Sequence, residues 1–230
     1  MPGDRLSRIL AELSAEGDGG WSSNRLCEVT RDIIGVSGAG VMIMSGDVPR
    51  GSLCTTNGVS DLIEELQFML GEGPSVDAHI DSQVVLEPNL AQPGTPRWLE
   101  FSRQAVEAGA GAVFAFPLRV GTVRLGALDL YRDEPGPLSD DQHANALVMA
   151  DVVANWVLDV QANAPPGSVA EELERDADFH FVVHNAAGAV SVQLGISITE
   201  ALIRLRAHAF ANDKPLRDIA EDVMTRRLRF

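Results

Sequence analysis

The sequence holds a single lysine, Lys214, against seventeen arginines. That near-absence removes one chemistry at once. A phosphate-cradling loop needs a lysine at its end, and the Gly121–Gly126 turn has none near it in sequence. Cysteine is almost as scarce, with only Cys27 and Cys54. Two cysteines are no disulfide framework, so reduced thiols in a cytosolic protein are the expectation, with Cys27 a small core residue of a helix. No Cys-x-x-Cys and no Gly-x-Ser-x-Gly occurs. No apolar run approaches the roughly 20 residues that span a bilayer. The first twenty residues are polar and acidic, without the pattern of a signal peptide. Neither a membrane nor an enzymatic role is expected.

What is present describes a globular protein. The 230 residues are 45% hydrophobic, with mean hydropathy +0.03. Net charge is −15 and unevenly spread. Residues 180–230 carry seven bases against five acids, a net +2. The remaining 179 residues carry eleven bases against twenty-eight acids, a net −17. A weakly basic tail on a strongly acidic body hints at an output module. The plain alternative is that the arginines solvate a helical face.

Leu6, Ile9, Leu10 and Leu13 have helical spacing over 5–15. Gly17–Gly20 breaks that pattern, and Ser22 or Ser23 caps a second helix to about Ile34. Gly38–Ser45 reads as a buried strand, with an antiparallel partner over 50–56. Residues 61–70 form a helix stopped by Gly71-Glu72-Gly73-Pro74. A short strand over 83–86 follows, then a proline-rich loop over 88–96. A helix over 97–108 buries Trp98, Phe101 and Val106. Strands over 112–118 and 123–131 precede a long helix over 139–163, capped at Ser139. The implied architecture is α+β, a mostly antiparallel sheet with helices on its faces.

Gly71-Glu72-Gly73-Pro74, Phe116-Pro117-Leu118 and Gly126-Ala127-Leu128-Asp129-Leu130-Tyr131 make this body resemble a GAF domain, a cytosolic sensor fold. The resemblance implies a small-molecule signal held by residues 21–164, behind an N-terminal helix in 1–20. The ligand and any cofactor are unknown. Cyclic-nucleotide-binding members of that family carry a motif lysine, and phospho-receiver domains need one too. The body has neither.

Pro165-Pro166-Gly167-Ser168 reads as a junction. A helix is expected from Val169 to Leu194, stopped by Gly195. Ser197-Ile198-Thr199-Glu200 is a capping box that opens a helix burying Ala201, Leu202, Leu205 and Ala209. Asp213 caps the last helix, with Pro215 in its first turn. Four pieces of this tail stand in the order of an ANTAR domain, an RNA-binding module of transcription antitermination regulators. They are Ala186-Ala187-Gly188, Glu200-Ala201, Leu205-Arg206-Ala207-His208-Ala209 and Pro215-Leu216-Arg217-Asp218-Ile219-Ala220. The resemblance implies an all-α three-helix bundle over 169–230 that grips tandem RNA hairpins with six-base loops. Ala187 stands where the family usually has a basic residue, which removes a cation.

RNA binding needs cations for phosphates and planar donors for loop bases, and arginine supplies both. The candidate RNA-binding residues are Ala187, Gly188, Arg204, Arg206, His208, Lys214 and Arg217. Arg204 and His208 share a face four residues apart. Arg206 lies nearer the apolar stripe, snorkelling to a rim or pairing with an acid. Gly188 either packs a helix crossing or admits a nucleotide. His180 and His184 are four apart, but no third metal ligand lies near them in sequence. His79 and His143 read as ordinary surface or core histidines, and no metal is expected. The whole reads as a cytoplasmic, homodimeric, signal-responsive antitermination regulator. A DNA-binding regulator and a protein-assembly module are the alternatives. Asp218, Glu221 and Asp222 beside Arg217 suit a major-groove helix poorly.

Overall fold

A computed structural model of the chain describes residues 2–15, 21–92, 97–163, 173, 178–212 and 214–230. The expected 165–168 junction, the Asp213 cap and most of 169–177 lie outside the described residues.

Helix α1 spans Pro2–Leu13 and α2 Ser23–Ile34. Ser22 caps α2, accepting from the Arg25 amide, and Gly35 ends it in the left-handed region. β1 (Gly38–Ser45) and β2 (Val48–Thr55) form a hairpin. α3 (Gly58–Leu70) starts at a capping box between Asn57 and Ser60. α4 spans Pro74–Asp81, β3 Val85–Glu87 and α5 Leu99–Glu107. β4 (Ala112–Val120) and β5 (Val123–Arg132) make a second hairpin, and α6 spans Asp140–Ala162. The tail comprises the two-residue strand β6 (Asp178–Phe179) and helices α7 (Phe181–Leu194), α8 (Ile198–Ala211) and α9 (Leu216–Met224).

The sheet is antiparallel throughout, in the order β3-β4-β5-β1-β2-β6. Alternation along the strands sends residues to two opposite cores. Phe114, Phe116 and Leu118 of β4 join Leu128 and Leu130 of β5 beneath α1, α2 and α6. Val113 and Ala115 face the other way, with Ala127, toward α3, α4 and α5. This is the expected α+β arrangement.

Four expectations need correction. Pro74, expected to belong to a stop signal, instead opens α4; proline fits a first helical turn because the missing N–H has no partner there. Val106 is 37% exposed rather than inward, although Trp98 and Phe101 are buried. The helix expected from Val169 to Leu194 is not continuous: Leu173 is helical, but Asp178 and Phe179 extend the sheet along β2, and α7 starts afresh at Phe181. Cys27 and Cys54 are joined as a disulfide, with Cα atoms 6.2 Å apart. Scarcity argued for free thiols, but the fold sets the buried face of α2 against β2, where both cysteines sit.

Among the described residues no single helix is long and apolar enough to cross a membrane.

Candidate functional site

The buried face of α3 carries polar residues at an apolar depth. Glu64 and Gln67 lie one turn apart and reach under the sheet to Asp129 of β5, with Ser75 of α4 completing the cluster; all four are at most 3% exposed. Gln67 Nε2 donates to Asp129 Oδ2 at 3.3 Å, and the Gln67 side-chain oxygen accepts from the Ser75 amide at 2.7 Å. The Ser75 hydroxyl also donates to Asp129. Glu64 needs room against the sheet, and Gly40 of β1 gives it: a methyl there would overlap the Glu64 carboxyl.

Two carboxyls in one dry site cannot both ionise cheaply. Burial pushes the Glu64 carboxyl well above its ordinary range, and the neighbouring Asp129 pushes it further. Burial raises Asp129 as well, against hydrogen bonds from Ser75 and Gln67 that favour its charged form. The neutral form is therefore favoured at Glu64, whose two carboxyl oxygens, like Asp129 Oδ1, are buried without a hydrogen-bond partner. Nearby, the buried His79 ring bonds through Nε2 to the Gly46 carbonyl at 2.7 Å.

An adjoining face of α3 meets the tail. Met42, Met44, Phe68 and Val76 of the body share one core with Val183, Ala186, Val190, Leu202, Leu205 and Ile219 of α7–α9. At its centre Arg206 Nη2 donates to the Phe68 carbonyl at 2.6 Å. That carbonyl belongs to the last turn of α3, where helix oxygens lack partners and a cation is favoured. Burial lowers the Arg206 guanidinium to about 10. Gly71 caps α3 with φ +67°, and a side chain there would strike the Arg206 guanidinium. The His180 ring stacks on Phe68 at 3.8 Å and its Nε2 lies 3.0 Å from Glu65. His184 Nε2 bonds to the Arg50 carbonyl at 3.3 Å, and burial, with the Arg50 charge, lowers its pKa to about 4. The two histidines thus serve the interface between body and tail.

The seven candidate RNA-binding residues divide. Ala187 is fully buried, so its side chain cannot reach RNA in this conformation. Gly188 has open space where a side chain would stand, which disfavours the packing role. Arg204 is exposed on α8, while His208 is half-buried with its ring 5.3 Å from that of Phe230. Arg206, two residues from Arg204, points instead into the body; it pairs with a carbonyl rather than with an acid. Lys214 and Arg217 are exposed at the start of α9. Arg206 and Lys214 border a cleft of about 800 Å³ with Leu62, Glu65 and Met69 of α3. Arg217 and His180 border another, of about 630 Å³, with Asp61, Glu64 and Glu65. The docking role of Arg206 was illegible in the sequence because its partner is a backbone oxygen 138 positions away.

No protein-family model and no curated sequence matches the chain. Solved structures do. The chain is similar to the GAF domain of an Acinetobacter phosphoenolpyruvate-protein phosphotransferase, at 13% identity and TM-score 0.50, over 71% of this chain and 96% of that one. It is likewise similar to the GAF domain of a phosphoenolpyruvate-protein phosphotransferase from Coxiella burnetii, at 12% identity and TM-score 0.51, over 70% of this chain and 95% of that one. The fold of the body is GAF-like.

Proposed function

We propose that this protein is a cytoplasmic, signal-responsive RNA-binding regulator that promotes transcription antitermination. The GAF-like body takes a small-molecule signal, and the ANTAR-like tail binds tandem hairpins with six-base loops in nascent RNA. The observation that carries the reading is the charge split: a net +2 over residues 180–230 against −17 elsewhere, in a tail whose motif order resembles that RNA-binding module. Arg204, Lys214 and Arg217 are the exposed cations that would meet phosphate, with Gly188 leaving room for close approach. Two such tails in a homodimer would grip two hairpins with higher avidity than one.

A second reading has its own support. Val192, Ile203 and Phe210 are apolar yet 85%, 57% and 77% exposed on α7 and α8, which favours a protein-assembly surface. The double variant Arg204→Glu, Arg217→Glu separates the two. RNA regulation predicts loss of hairpin binding in a mobility shift, on the order of a hundredfold for two reversed phosphate contacts, with unchanged size on gel filtration. A changed oligomeric state with unchanged RNA binding contradicts it.

A further inference from the structure

We propose that the GAF-like body holds the tail in an RNA-incompetent, docked state through α3, whose C-terminal carbonyl takes up Arg206 and whose acids line the clefts beside Lys214 and Arg217. The inference rests on the RNA reading above and adds its regulation.

The competition is visible atom by atom. The Phe68 carbonyl accepts from Arg206 at 2.6 Å, taking the place a phosphate oxygen would fill. Gly71 permits this approach by having no side chain. Glu65 lies 3.0 Å from His180, whose ring is stacked on Phe68, and Glu65 also borders the cleft that holds Arg206 and Lys214. Asp61 and Glu65 line the second cleft together with Arg217, whose own ion-pair partner is Glu221 of α9 at 3.3 Å. Three of the five cationic or imidazole candidates therefore line surfaces shared with α3. Only Arg204 and His208 lie away from it, and His208 is partly covered by Phe230. A docked tail offers RNA too few contacts, since each lost phosphate contact weakens binding in a salt-dependent way.

The same helix carries the means of release. Glu64 and Gln67 reach the buried cluster around Asp129, whereas the next residue in each case, Glu65 and Phe68, holds the tail. A shift of α3 that accommodates a ligand beneath it moves both sets together, because they share one rigid helix. RNA and the docked contact then compete, and whatever weakens docking raises the fraction of tail able to bind.

The test uses the full chain and an RNA of two tandem hairpins with six-base loops. Glu65→Lys reverses the charge beside His180 in the cleft that Arg206 borders, and Gly71→Ala drives a methyl into the Arg206 guanidinium. Amide hydrogen exchange reads docking directly: exchange over 181–186 and 198–206 rises in both variants, while the sheet over 112–132 stays protected. In a mobility shift both variants bind the RNA on the order of tenfold tighter than wild type. Unchanged exchange in both variants overturns the docking. Faster exchange with RNA affinity equal to wild type overturns the inhibition and leaves RNA binding standing. Absence of RNA binding in the wild type, in both variants and in the presence of low salt overturns the RNA reading, and the inhibition falls with it.

Discussion

Glu64 is the residue whose chemistry is most altered by the fold. It sits 2% exposed against Gly40 and beside Asp129, and the low local dielectric favours its neutral form. Its folded pKa lies above its ordinary 4.5. The stability it contributes is therefore complete below about pH 4.5 and drains as pH rises through the folded value. Glu64→Gln is neutral at every pH. Urea unfolding is expected to show the variant more stable than wild type at pH 8.5, with the difference narrowing as pH falls. A wild type that is the more stable at pH 8.5 contradicts the buried neutral carboxyl. Gln67 and Ser75 were equally silent in the sequence. Polar residues in an amphipathic helix read as its solvent face, and only the sheet above α3 reverses that reading.

At the scale of elements, local signals translated well wherever the chain's own chemistry sets a boundary. The cap at Ser139, the capping box at Ser197 and the glycine stop at Gly195 stand where the local sequence places them, and of the two serines open to cap α2 it is Ser22 that does so. Elements fixed by distant partners did not. β6 exists only because β2 offers an open edge, so nothing within residues 178–179 marks it as strand. The disulfide is of the same kind: Cys27 and Cys54 are 27 residues apart and meet only when α2 packs on the sheet. Closing a loop of that length restricts the unfolded chain, worth about 3 kcal/mol by loop entropy. Mass spectrometry of the purified protein under non-reducing alkylation should find both thiols blocked. Reduction should then lower the midpoint of urea unfolding while leaving the far-ultraviolet circular dichroism of the native state unchanged. Two alkylated thiols in the untreated protein would contradict the bond.

For the whole molecule, charge distribution and motif order made a GAF-like body with a helical tail legible from sequence, and the sheet order and the similarity to solved GAF domains bear out the body. What remained hidden is how the two parts meet. The tail's core is continuous with Met42, Met44, Phe68 and Val76 of the body, residues that looked like ordinary strand and helix interior. Long-range packing leaves no periodicity in either partner. That junction changes the expected behaviour of the tail, because Arg206 is spent on α3 and Lys214 and Arg217 border its acidic side.

The measurement that tests the account most directly is a mobility shift of the full chain with the tandem six-base-loop hairpin RNA, set against a loop-scrambled RNA and a duplex DNA. The account predicts selective binding to the intact loops, with a log–log salt slope of about −2 to −3 for three or four phosphate contacts. Equal affinity for all three nucleic acids, or none for any of them even at low salt and with the Glu65→Lys chain, would contradict it.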